Sequence, residues 1–251
     1  MQNTEKVTFS IVIATFNAAD YLQITLDSVK KQQFKNFELI IIDGNSSDNT
    51  VDIIKANSDF PMLWISEPDT GLYDAWNKAI KRANGTWITF LGAGDILYPD
   101  ALLSYNAHIE QLSGMPDYIS AKIRRIDEKG RFLSVLGEAW SWTQFKNSMT
   151  VAHVGSLHHQ RLFSEIGLFD ISNYKICADY ELLLRKKSKL KTSFLDKLMG
   201  EMPNGGVSFS VKALKESAKA KYKTGQCSIF SVSIRFIYYW ILLKTYPIRH
   251  L

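Results

Sequence analysis

Residues 9–14 (Phe9-Ser10-Ile11-Val12-Ile13-Ala14) form a short, β-branched apolar run without alternation. Such a run marks a strand buried on both faces. Behind it, Tyr21, Leu22, Leu26 and Val29 recur at helical spacing within residues 17–32. A second buried strand over 37–42 ends at Asp43, and Ser46-Ser47-Asp48-Asn49-Thr50 then supplies N-cap chemistry for a helix over 51–56. Apolar residues 62–65 predict a third strand, 73–83 a helix and 86–91 a fourth strand. Strand and helix alternate, which predicts an α/β fold built on a mostly parallel, doubly wound sheet flanked by helices.

From Pro99 the pattern becomes mixed. Residues 99–112 read as a helix, 118–136 as a hairpin around Glu128-Lys129-Gly130, and 177–187 as a helix opening Ala178-Asp179-Tyr180-Glu181. Pro203-Asn204-Gly205-Gly206 reads as a loop, and residues 150–170 carry His153, His158 and His159. No repeat or low-complexity linker interrupts the chain, so no sharp domain boundary is expected.

Composition supports a folded domain. The 251 residues are 46% hydrophobic and 12% aromatic, enough for a full core, which excludes a disordered chain. Cys177 and Cys227 lie far apart and in no metal-ligand spacing, which points to a reducing compartment without a disulfide framework. The polar start, 1–8, carries no signal-peptide pattern. The net charge is +5, and Lys212, Lys215, Lys219, Lys221 and Lys223 crowd one segment. That asymmetry favours an anionic partner. The strongly apolar residues 229–243 follow, with Arg235 in the middle; about 15 residues is too short a stretch to span a bilayer. Together the two read as an interfacial amphipathic segment at a membrane surface over 212–250. Packing of the same segment on protein is the other option. Nucleic acid is disfavoured as partner, because no aromatic interleaves the lysines until Tyr222.

Ligands of doubly wound sheets bind beyond the carboxyl ends of the strands. Polar residues collect at those ends here: Thr15 and Asn17, Asp43, Glu67 and Asp69, then Asp95. An acid such as Asp43 can accept hydrogen bonds from a nucleoside. Asp95 follows Gly92-Ala93-Gly94, whose small side chains permit close approach to a diphosphate, and one carboxylate with phosphates and water suits Mg2+ or Mn2+. G-x-G-x-x-G, G-x-x-x-x-G-K-[ST] and G-x-S-x-G are all absent, which removes dinucleotide-binding, P-loop and α/β-hydrolase readings.

The runs 9–17 and 42–50, the stretch from Ser66 through Asp95, Ala152-His153-Val154-Gly155-Ser156 and Ala178 to Arg185 together resemble the family 2 glycosyltransferases with the GT-A fold. The segment Glu67 to Lys78 is similar to enzymes that build bacterial surface polysaccharides. The resemblance covers roughly residues 9–210. It implies a nucleotide-diphosphate sugar donor, usually UDP-linked, and a divalent metal. Thr15, Asn17, Asp43 and Asp69 would line the nucleoside pocket. Asn77 and Lys78 would join the donor side, with Lys78 taking the diphosphate contact because Trp76 stands where many relatives carry Arg. Asp95 would be the last acid of the family's D-x-D motif, whose first acid is replaced by Ala93. His153 matches a histidine near metal and acceptor, and Asp179 matches the catalytic base, with Glu181 as fallback. An inverting transfer needs such a base to take the acceptor proton.

The expected organisation is a GT-A domain over 1–210, with a donor half to about 98 and an acceptor half from 99, then a basic, aromatic extension over 211–251. The expected function is inverting, metal-dependent sugar transfer to a glycan or lipid-linked (polyprenyl-diphosphate) acceptor at the cytoplasmic face of the membrane. A non-catalytic nucleotide-sugar-binding module is the alternative.

Overall fold

A computed structural model describes residues 7–204 and 210–225. Strands β1 (Phe9–Thr15), β2 (Phe37–Asp43), β3 (Leu63–Ser66) and β4 (Trp87–Gly92) run parallel in the order β3-β2-β1-β4. Their side chains divide between two cores. Val12, Ile40, Ile42, Ile88 and Phe90 face one core with Tyr73, Trp76 and Ala79 of helix α3 (Leu72–Ile80). Ile11, Ile13, Leu39, Ile41 and Leu91 face the other with Leu22, Leu26 and Val29 of α1 (Ala19–Lys30) and Ile54 of α2 (Thr50–Ala56). Helices on both faces explain why these strands are continuous apolar runs. Register also levels the strand ends: Thr15 pairs with Asp43, Asp43 with Ser66, and Ala14 with Gly92.

The second half is mixed. Beyond β4 come β8 (Leu157–His159), β6 (Tyr118–Ile126), β9 (Thr192–Pro203) and β5 (Ile96–Leu97), with β7 (Phe132–Leu136) paired to β6. β8 is antiparallel to both β4 and β6, whereas β6 and β9 are parallel. The expected 118–136 hairpin forms as β6 and β7. The helices here are α4 (Ala101–Glu110), α5 (Trp142–Phe145), α6 (Gln160–Ile166), α7 (Ala178–Lys186) and α8 (Val211–Lys223). Buried Asp117 ties α6 and α7 to the start of β9: its carboxylate accepts from Lys191 N at 3.0 Å, Lys186 Nζ at 3.0 Å and Arg161 Nε at 3.1 Å. Burial pushes this carboxyl up, but the donors outweigh it and hold it below the usual range.

The described part of the C-terminal extension packs on the domain. Ser210 caps α8 by accepting from Ala213 N, and Ala213 and Ala220 are buried. Lys219 and Lys223 donate to Asn173, and Lys221 lies over the Tyr180 ring. These lysines, expected on a membrane face, turn toward the chain itself. Residues 226–251, including the apolar aromatic run, lie outside the described residues. Among the described residues no helix is long and apolar enough to cross a membrane.

Candidate active site

The strand ends are knitted together around Asp43, which is fully buried. Its Oδ1 accepts from Thr15 Oγ1 at 3.0 Å and from Ser46 Oγ, and its Oδ2 from Ser46 N at 2.9 Å and Ser66 Oγ at 2.6 Å. Burial pushes the carboxyl up; the bonds from Ser46, Ser66 and Thr15 outweigh it and hold Asp43 below the ordinary carboxylate range. Ser46 Oγ also accepts from Asn17 N at 2.8 Å, and Asn17 Oδ1 accepts from Ser47 N at 2.9 Å. Asn17 has φ +47°, a left-handed conformation that Asn tolerates well. Asp69 completes the cluster. It accepts from Gly71 N at 2.8 Å, and a Cβ on Gly44 would lie 2.8 Å from its Oδ2, so a larger residue at position 44 would push the Asp69 carboxylate aside. Thr15, Asn17, Asp43 and Asp69 are thus brought together at the strand ends.

A second group assembles at the start of α7. Asp179 is half-buried, and its Oδ1 accepts from Tyr180 N at 2.8 Å. The Tyr73 hydroxyl lies 2.9 Å from the same oxygen and 2.6 Å from Ile176 O, so its single proton serves both. Burial and the charge of Asp179 raise Tyr73 well above the usual phenol value, which keeps it a donor. Because Tyr73 sits in the first turn of α3, directly after Asp69–Gly71, it joins the two groups. Lys175 adds a second link, donating from Nζ to Thr70 O at 2.9 Å. Glu181, the fallback base, is buried and engaged with Arg185.

Asp95 and His153 were expected at a metal. Asp95 is 6% exposed, and its Oδ2 accepts from Gly92 N at 2.7 Å. Burial pushes its carboxyl up to about 7, so its charge is poorly compensated by the protein. Gly94, at φ +102°, turns the chain into this position. His153 stacks on Trp76 with ring centroids 5.0 Å apart, and its buried Nε2 has no partner among the described residues. Burial lowers its pKa, against the opposing charge of Asp179. Among the described residues no group of three or more His, Cys, Asp or Glu is placed to hold a metal. The donor set therefore suits a cation only as a partial site: one under-compensated carboxylate, with oxygens of a bound diphosphate and water completing the shell.

Two residues expected on the donor side have partners within the protein. Asn77 is buried and brackets Phe169, donating to its carbonyl at 2.9 Å and accepting from its amide at 3.0 Å. Lys78 Nζ is engaged with Glu67 at 2.9 Å and Pro68 O at 2.8 Å, so it braces the 67–71 loop. Trp76 is buried against Tyr73, Phe90 and His153. This helix face points its residues into the core. Missed from sequence were Tyr73, Ser66 and Phe16, the last 65% exposed beside Thr15. An aromatic residue ending a buried strand was the available signal for Phe16. A cavity of about 440 Å³ lined by Ile80, Thr86, His159, Gln160 and Phe163 opens at the opposite end of β4, away from this chemistry.

Fold and site together define a mixed α/β protein of the GT-A type, with its polar groups at the carboxyl ends of the strands. The chain belongs to glycosyl transferase family 2, whose model matches residues 10–156. It is 31% identical over 180 residues to a PGL/p-HBAD biosynthesis glycosyltransferase of Mycobacterium bovis, covering 70% of this chain and 68% of that protein. Residues 1–349 of S. aureus TarS in complex with UDP superpose with a TM-score of 0.64 at 21% identity, over 85% of this chain and 65% of that one. The mannosyltransferase PcManGT from Pyrobaculum calidifontis in complex with GDP-Man and Mn2+ gives a TM-score of 0.64 at 14% identity, over 93% and 70%. The chain thus spans about two thirds of the length of these relatives.

Proposed function

We propose that the protein transfers a sugar, with inversion, from a UDP-linked donor to a hydroxyl of a glycan or lipid-linked acceptor in building a bacterial surface polysaccharide. The observation that carries this reading is Asp179. One carboxylate oxygen is held by Tyr180 N and Tyr73, while Oδ2 has no hydrogen bond among the described residues and is available to a substrate hydroxyl. The nucleoside lies at the strand ends, where Phe16 offers a face for the base and Asp69 and Asn17 offer polar contacts. Asp43 acts by holding those strand ends level. In the transfer, Asp179 takes the acceptor proton as the oxygen bonds to the anomeric carbon. The bond from that carbon to the diphosphate breaks, and the nucleoside diphosphate leaves with the electron pair. A divalent cation bound at Asp95, whose buried carboxylate is under-compensated, would supply neutralisation of charge on the leaving diphosphate, with His153 as the candidate nitrogen donor.

Relatives support the donor class: the TarS structure holds UDP and the archaeal structure GDP-Man with Mn2+. Release of UDP or GDP from a panel of nucleotide sugars, with Mn2+ present or chelated, tests the reading, and NMR of the product reads the anomeric configuration. Binding of every donor without any turnover would instead make the protein a nucleotide-sugar-binding module. Membrane attachment at the inner face of the cytoplasmic membrane belongs to residues beyond α8 in this reading. Full-length protein should sediment with anionic vesicles and a chain ending at residue 225 should not; equal sedimentation rejects the attachment.

A further inference from the structure

The first amides of a helix have no intrahelical acceptors and need one from elsewhere. In α7 the residue before the first turn, Cys177, makes no side-chain cap. Within the first turn Tyr180 N is taken by Asp179 Oδ1, and α8 supplies the acceptor for the three amides that come just before the helix. Glu216 Oε2 accepts from three successive amides, Lys175 N at 2.9 Å, Ile176 N at 2.7 Å and Cys177 N at 3.1 Å. These bonds are charge-assisted, and a negative group suits this end of a helix. The Cys177 thiol reaches Ala213 O at 3.4 Å, a second contact between the same two segments. Ile176 O receives the Tyr73 hydroxyl, which also meets Asp179, three residues further along. A single carboxylate oxygen of α8 therefore fixes the three residues that lead into α7 and the carbonyl that shares the Tyr73 hydroxyl with Asp179.

We propose that Glu216 is a positioning residue for Asp179, setting where the carboxylate stands without touching the donor nucleotide. The proposal rests on Asp179 acting as base in sugar transfer. It also gives α8 a task inside the enzyme, distinct from any contact with a membrane. Small misplacements of a reacting group are costly: a displacement of about 1 Å lowers a rate on the order of 100-fold.

The test uses the full-length protein and measures UDP release from UDP-glucose, UDP-galactose and UDP-GlcNAc with water as acceptor, beside UDP affinity by calorimetry. Glu216→Ala should lose about 10- to 100-fold in turnover while UDP affinity stays within about two-fold. Glu216→Gln keeps an acceptor oxygen at the same reach and should restore most of the loss, remaining about two- to five-fold slow. That split between turnover and donor affinity, with rescue by Gln, is not expected of a residue that only holds the fold. Wild-type turnover in both variants overturns the proposal, as does a loss of UDP affinity matching the loss of turnover. Should the Ala variant not fold, the Gln variant decides: full wild-type turnover there overturns it. Asp179→Asn runs in parallel. Wild-type turnover in that variant removes the base assignment itself, whereas an inactive Asp179→Asn beside unaffected Glu216 variants removes only the role of Glu216.

Discussion

Asp43 and Asp95 are both buried aspartates at the carboxyl end of the parallel sheet, yet they have opposite chemistry. Asp43 has donors on both oxygens from Thr15, Ser46 and Ser66, and is held ionised. Asp95 has the Gly92 amide, and burial pushes it up to about 7. A carboxylate accepts about four hydrogen bonds when satisfied. The first is complete within the protein; the second is short of positive charge. Two acids that look alike in sequence thus separate into one that organises the strand ends and one suited to an added cation.

The largest expected effect is on folding. Asp43→Ala strands the donors around it and should lower unfolding stability by about 3 kcal/mol at neutral pH, whereas Asp95→Ala, which strands one amide but relieves an under-compensated buried charge, should cost less than about 1 kcal/mol. Equal losses in denaturant titrations would erase the contrast. Next comes the metal response. Asp95→Asn should cut transfer about 100-fold and abolish any rise in melting temperature on adding Mn2+. An Asp95→Asn variant whose melting temperature still rises with Mn2+ as in wild type would place the cation elsewhere.

pH sharpens the comparison, because the two signs differ. Asp43 has a folded pKa below 3.8, so its stabilisation is present above 3.8 and lost as pH falls through the folded value. The deficit of Asp43→Asn relative to wild type should therefore vanish in acid. Asp95 has a folded pKa raised from 3.8 to about 7, so the folded state holds the extra proton and loses stability as pH rises through that window. Asp95→Asn should gain on wild type between those values and hold the gain above 7. Melting curves across pH read both; gains of the same sign would contradict the assignment. The smallest effect is at Gly44. Gly44→Ala brings a methyl within 2.8 Å of Asp69 Oδ2 and should displace that side chain, weakening UDP binding about five-fold, or about 1 kcal/mol. Unchanged affinity would take Asp69 out of the nucleoside pocket.

The first half of the fold is legible because strands buried on both faces leave unbroken apolar runs, as from Leu39 to Ile42 in β2. β8 is three residues long, and β9 mixes exposed, half-buried and buried positions without alternation over twelve residues, so neither carries a period to read. The site divides in the same way. Thr15 and Asp43 announce themselves as polar residues at the ends of apolar strands, whereas Asp179 is singled out only by the resemblance of residues 178–185 to the family. Asn77 and Lys78 engage the protein itself, because the facing of a helix depends on what packs on it, here Phe169 and Glu67. Tyr73 and Glu216 act through contacts 106 and 39 to 41 residues away in sequence, which no local pattern encodes.

The central claim is that Asp179 takes the acceptor proton. The most direct test compares nucleotide release and UDP affinity in wild type and Asp179→Asn at saturating donor. Turnover should fall by about 10²- to 10⁴-fold while UDP affinity stays unchanged. Turnover at the wild-type rate in Asp179→Asn would contradict the account.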